Sequence, residues 1–283
     1  MMRASTLAFV VSSLVLLPGA VIAGDARPHR LPAITVNASG ADANPSRETY
    51  RGYYIDLSAI AGRKDLSQMA DGLRHQIDIV ENSGLSPRVL QFFRTVPVVV
   101  DDFACVGYMT TPASGEPRPV PVGACYTRQA PDLIREKHVG VQVWSDHGAS
   151  ANPDPLTEAL TTQTGVVMYR PSTLVDRDRE RPVLLHELLH AYHDHILGFG
   201  SPATLSFFKE ATEKHLYPAD QYLMTNEKEF FAVTASVILF GRDGSIDRAQ
   251  IKKAQPDYYK YIVWMFGIDP DHGSGLSPVA SAN

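Results

Sequence analysis

The stretch Val183-Leu-Leu-His186-Glu187-Leu-Leu-His190-Ala-Tyr-His193 sets two histidines four residues apart inside an apolar, strongly helix-forming run. On a helix, residues i and i+4 stand one turn above each other on the same face. His186 and His190 then aim two imidazoles at one point, the arrangement a zinc ion requires. Glu187 projects beside the pair, so its carboxylate reaches a metal-bound water without being a ligand, which suits a general base. The context favours a helix. Leu184, Leu185, Leu188, Leu189 and Tyr192 recur at helical spacings, Pro182 is placed to start the helix and Gly198 to end it.

A catalytic zinc takes three protein ligands and keeps one position open. Nearby candidates for the third are His193, His195, His215, Glu210, Glu213, Glu227 and Glu229. His193 and His195 follow His190 too closely to join its ring cluster from one continuous helix, so they read as solvated or outer histidines. No third histidine follows a glycine turn at the interval metzincins use. A downstream helix must therefore supply the ligand, and Asn226-Glu227-Lys228-Glu229-Phe230-Phe231-Ala232 opens one. With Asn226 as N-cap, Glu229 is also the third-position carboxylate of a capping box. Periodicity leaves Glu227 and Glu229 both able to face inward.

Upstream and downstream, the pattern predicts an α+β fold: a small sheet, then a helical C-terminal half. Leu66, Met69, Leu73, Ile77 and Val80 predict a helix over 65–82, closed by Gly84. A short strand or docking segment at 50–57, a short helix at 87–94, and strands at 96–100, 139–144 and 165–170 are expected. The 165–170 segment immediately precedes the motif helix. It is a candidate for the sheet edge that receives substrate as an added strand in zincin-type peptidases, an interior strand being the other reading. Prolines 112, 117, 119 and 121 predict a loop over 110–123, and Asn152-Pro153-Asp154-Pro155 is a further break. Helices follow at 201–214, 225–240 and 255–266.

The chain has 283 residues, 44% hydrophobic and 20% charged, enough for one catalytic domain. Residues 1–23 read as a secretory signal: Arg3, an apolar centre from Leu7 to Leu17, and Val21-Ile22-Ala23 as cleavage site. Residues 24–48 read as a flexible mature N-terminus, 49–270 as the domain and 271–283 as a loose tail. Export, to the periplasm or outside the cell, is the expectation. Removing 1–23 deletes one Arg and no acid, taking the net charge from −5 to −6. No basic run exists to bind nucleic acid or anionic lipid, and no membrane association is expected after signal cleavage. Cys105 and Cys125 flank the proline-rich segment, and in an oxidising compartment a disulfide between them would contribute about 3 kcal/mol.

The run Tyr222-Leu-Met-Thr-Asn226-Glu227-Lys228-Glu229-Phe230-Phe231-Ala232, placed after His186-Glu187-Leu188-Leu189-His190, resembles the catalytic domain of anthrax lethal factor and its relatives, which include secreted Pro-Pro endopeptidases. The resemblance covers about residues 184–268, including Ile251-Lys252-Lys253-Ala254-Gln255-Pro256 and the helix that follows. It implies a zincin-like metallopeptidase fold, Glu229 as third zinc ligand and Tyr222 as the hydroxyl that supports the oxyanion. Val233 stands where lethal factor has a second glutamate, and the chain has no room for that toxin's receptor-binding and docking domains. The implied activity is an exported zinc endopeptidase acting on protein or peptide substrates through a metal-activated water, with Glu187 as general base. The alternative is an exported zinc-binding interaction or inhibitor protein without turnover.

Overall fold

The structure is a computed structural model that describes residues 46–101, 106–110, 118–121, 123–128, 165–175 and 179–271. Among these residues it is a mixed α+β fold with eight α-helices and a small sheet. The expected signal sequence, Cys105, the strand at 139–144, the break at 152–155 and the tail from 272 lie outside the described residues.

Strands β1 (Arg47–Tyr50) and β2 (Tyr53–Asp56) form a hairpin. Its two-residue turn, Arg51 at φ 49° and Gly52 at φ 88°, is left-handed at both positions, the conformation whose twist suits a tight hairpin. Strand β1 begins inside the stretch expected to be loose. After α1 (Leu66–Glu81) and α2 (Pro87–Phe93), β3 (Val98–Val100) joins β2 in parallel. The proline-rich stretch is not a simple loop: β4 (Val106–Thr110) and β5 (Arg118–Pro121) form a separate antiparallel ribbon, with Pro119 and Pro121 in β5. Proline is tolerated there because two strands leave each one an outer side that needs no amide donor.

Strands β6 (Ala124–Thr127) and β7 (Val166–Tyr169) complete the sheet in the order β1-β2-β3-β7-β6. β7 pairs in parallel with β3 and antiparallel with β6, so it is interior. All its residues are buried, as suits an unbroken apolar run. Of the two readings of 165–170 the interior strand holds, and the sheet edge beside β7 is β6, with β1 at the far edge.

Helix α3 (Pro171–Val175) turns back against α1 so closely that a Cβ on Gly72 would meet the Leu174 carbonyl oxygen at 2.2 Å. The motif helix α4 (Val183–Tyr192) lies against α1, β6 and β7. Its Leu184, Leu185, Leu188 and Leu189 are fully buried. The helix then widens into a π turn, His193–Leu197, that ends at Gly198 with φ 79°. Helix α5 (Pro202–Glu213) leads to a short 3-10 turn, Tyr222–Met224, and to α6 (Glu227–Phe240). Every residue of α6 from Phe230 onward is buried, which makes it the central helix of the C-terminal half. A small ribbon of β8 (Arg242–Asp243) and β9 (Ile246–Asp247), then α7 (Arg248–Ala254) and α8 (Pro256–Phe266), close the fold. The helix expected at 255–266 is therefore preceded by a second one, broken from it at Gln255. No helix among the described residues is long and apolar enough to cross a membrane.

Candidate metal centre

Helices α4 and α6 pack against each other, and their contact brings together three atoms that can donate to a metal. Nε2 of His186 and Nε2 of His190 lie 3.0 Å apart. Oε2 of Glu229, at the third helical position of α6, lies 3.3 Å from the first and 3.4 Å from the second. The triangle has the size that a tetrahedral zinc needs, since bonds of about 2.0–2.1 Å put ligand atoms about 3.3 Å apart. Oε2 of Glu229 is buried and has no aligned hydrogen-bond donor among the described residues, an orphaned oxygen that a shared cation would satisfy. Burial alone would raise the Glu229 carboxyl, but the two facing imidazoles outweigh it and hold it well below the usual carboxylate range. For His186, burial opposes the charged ring, and the Glu229 and Glu187 carboxylates reverse the balance and raise it.

A second carboxylate competes for the same role. Glu187 can also offer an oxygen to a cluster with His186 and His190, with all three ligand atoms within 4.8 Å of one another. The shorter approach of Glu229 to both nitrogens favours Glu229, because Oε2 of Glu187 is already engaged by the Tyr126 amide, which donates to it at 2.8 Å. Burial raises the Glu187 carboxyl, with partial relief from His186 and His190. It is thus a more basic carboxylate than an exposed one.

Asn226 and Glu229 divide two jobs that the sequence left undecided. Oδ1 of Asn226 accepts from the amides of Lys228 and Glu229, each at 2.9 Å, and so caps α6. The Glu229 carboxylate is left free of the cap and turns to the imidazoles. Glu227 does not line the cavity. The remaining candidates lie elsewhere: Glu210 pairs with Lys214 at 2.7 Å, Glu213 with Lys209 at 3.7 Å, and His215 is exposed. His193 is not solvated but fully buried, its ring 4.6 Å from that of Phe231 and 5.2 Å from that of Phe199. His195 is carried by the π turn toward β6, where its Nε2 lies 2.9 Å from the Tyr126 hydroxyl.

The cluster opens onto a cavity of about 600 Å³ bordered by β6, Phe199, Tyr222 and the first turn of α6. Tyr222 stands on its 3-10 turn with its ring 6.3 Å from that of His186 and 45% exposed. Asp194, also in the cavity wall, is nearly buried and is held by Arg128 and by the Tyr126 hydroxyl, the latter at 3.0 Å. Tyr126 is a lining residue that the sequence offered no signal for, since it reaches Glu187 through its backbone across 61 positions.

No protein-family model and no curated protein matches the chain. Among solved structures, the Pro-Pro endopeptidase PPEP-2 from Paenibacillus alvei aligns with a TM-score of 0.39 and 18% identity, over 73% of this chain and 95% of that one. A likeness of that size carries no argument about activity.

Proposed function

We propose that the chain is an exported zinc endopeptidase in which His186, His190 and Glu229 hold the metal, Glu187 is the general base and Tyr222 supports the oxyanion. The observation that carries this reading is the convergence of two Nε2 atoms and one orphaned Oε2 within 3.0–3.4 Å of one another, beside a second buried carboxylate and an open cavity. When bound, zinc supplies a Lewis acid that polarises a carbonyl and makes water nucleophilic near neutral pH. With Oε2 of Glu187 held by the Tyr126 amide, Oε1 is the oxygen left to accept the proton of the attacking water. The same Oε1 then returns that proton to the leaving amine. The Tyr222 hydroxyl donates to the carbonyl oxygen as it becomes negative, an interaction worth about 2–4 kcal/mol in the transition state. Strand β6, which borders the cavity, takes the place of β7 as the strand along which an extended peptide lies. The export signal and the Cys105–Cys125 disulfide belong to the same proposal.

The test is elemental analysis of dialysed protein together with cleavage of a peptide library. The parent should hold about one zinc, and Glu229→Ala should lose most of it. Glu187→Gln should keep the zinc and lose cleavage by about 10²–10⁴-fold, the usual scale of general-base catalysis. His190→Ala should lose both. Cleavage by Glu187→Gln at the parental rate would sink the mechanism, and full zinc in Glu229→Ala would move the third ligand elsewhere. Zinc without cleavage of any library peptide would favour a non-catalytic zinc protein.

A further inference from the structure

Two cationic side chains, Arg128 and Lys228, line the cavity beside the candidate metal centre. The Arg128 guanidinium is committed, its Nε donating to Oδ2 of Asp194 and its Nη2 reaching the Asp194 carbonyl oxygen at 3.4 Å. Lys228 has no carboxylate partner among the described residues. Lys209, Lys214, Lys252 and Lys260 each pair with an acid, and Lys64 and Lys253 are exposed to solvent. Lys228 is only partly exposed, and its ammonium sits 4.3 Å from the centroid of the Phe199 ring. Phe199 is itself 38% exposed and lines the same cavity.

The Phe199 ring gives this cation one weak local attraction, a cation–π contact, and the backbone opposes it. The amide of Lys228 is fixed by the Asn226 cap, so the residue stands in the first turn of α6, where the helix dipole opposes positive charge. An ammonium offers three donors and no acceptor, and a partly desolvated one gains most from an anion. The other charged groups of the cavity are the Arg128–Asp194 ion pair and the carboxylates of Glu187 and Glu229. With Arg128 committed to Asp194, Lys228 is the uncommitted protein cation of the wall that can attract an acidic guest. The exposed Phe199 ring beside it provides an apolar surface for the carbon chain that bears the acid.

We propose that Lys228, seated on Phe199, is a specificity determinant of this cavity and selects peptides that place a carboxylate there, from an Asp or Glu side chain or from a free C-terminus. The choice of a peptide as ligand rests on the endopeptidase reading, but the recognition does not depend on turnover.

The experiment uses the zinc-loaded full chain carrying Glu187→Gln, so that peptides bind without being cleaved. The probe is a synthetic peptide mixture in which each sequence occurs with Glu or Gln at one position and with a free or amidated C-terminus. Retained peptides are quantified by mass spectrometry after filtration, for Glu187→Gln alone and combined with Lys228→Met or Lys228→Glu. One carboxylate form should be enriched about tenfold over its neutral counterpart, the scale of one charge-assisted hydrogen bond. Whether the Glu form or the free C-terminus is enriched identifies the source. Lys228→Met, which keeps the stem, should abolish the enrichment, and Lys228→Glu should reverse it in favour of Lys- and Arg-containing peptides. Equal enrichment with and without Lys228, no enrichment in the parent, or no retention of any peptide would overturn the proposal. Failure of the catalytic reading looks different: Glu187 protein that retains carboxylate peptides and cleaves none.

Discussion

His193 shows how much a single side chain can cost when tertiary structure overrides its chemistry. Both ring nitrogens are buried without a hydrogen-bond partner among the described residues, between Phe199 and Phe231. Burial, with a smaller push from His190, takes its pKa down to about 4. An unfolded histidine titrates near 6.5, so between about pH 6.5 and 4 the unfolded chain binds a proton that the native one refuses. The folded state keeps its full stability with respect to this group above about pH 6.5 and loses it progressively as pH falls toward 4. His193→Leu removes the two orphaned nitrogens while keeping an apolar side chain. Its melting temperature should equal or exceed the parent's at pH 7.5, and the gap should widen toward pH 4.5. A gap that stays constant would mean the native histidine accepts its proton. At the same scale, the chemistry around Glu229 was only half legible. The capping pattern Asn226-x-x-Glu229 and the inward ligand are both real possibilities for one sequence, and only the fold shows that the asparagine caps alone while the carboxylate meets the histidines.

Helix α4 has no capping side chain of its own, because Pro182 stands at its N-cap position. The work is done from α1. Oε1 of Gln76 accepts from the Leu184 amide at 3.0 Å and from the Tyr169 hydroxyl at 3.2 Å. Its Nε2 donates to the carbonyls of Arg179 and Arg181 at 2.7 and 2.8 Å. One buried amide thus joins α1, β7 and the entry to the motif helix, and it fixes where the first turn before His186 begins. Gln76→Leu would leave buried donors and acceptors unpaired, at about 1–3 kcal/mol for each group stranded. A lowered urea midpoint with an unchanged slope, together with weakened zinc binding, is the expected outcome. A midpoint equal to the parent's would show that water replaces the amide without loss. Elements defined by local signals were readable from the sequence: the apolar spacing of α1, Pro182 and Gly198 around the motif, and the valine run of β3. Strand order was not. Whether β7 is edge or interior depends on β6, whose pairing partner lies some forty residues away and leaves no periodic trace in either segment. The π turn is similarly silent, since its effect is to redirect Asp194 and His195 toward Tyr126, contacts that no spacing rule anticipates.

At the scale of the molecule, the candidate metal centre lies at the cavity-facing side of a contact between two helices whose other faces are buried. The four leucines of α4 and the run from Phe230 through Leu239 are themselves buried, and α4 packs directly against α6. A metal here would add a clamp between α4 and α6 without being what brings them together. This differs from small zinc domains, in which ligand binding is the folding free energy itself. Protein stripped of metal by a chelator should therefore keep its helical circular dichroism and melt in one cooperative transition, while losing all peptide cleavage. Its melting temperature should fall on mass-action grounds, because metal binds only the native chain. At free zinc about a thousandfold above the dissociation constant that linkage is worth roughly 4 kcal/mol, or roughly 8–16 °C for a domain of this size. Returning one equivalent of zinc should restore both the melting temperature and cleavage. In Glu229→Ala the same addition should shift melting far less, since one corner of the ligand triangle is gone. If stripping instead abolishes the cooperative transition, the α4–α6 interface is held by the metal and the apolar contacts between the two helices are insufficient alone.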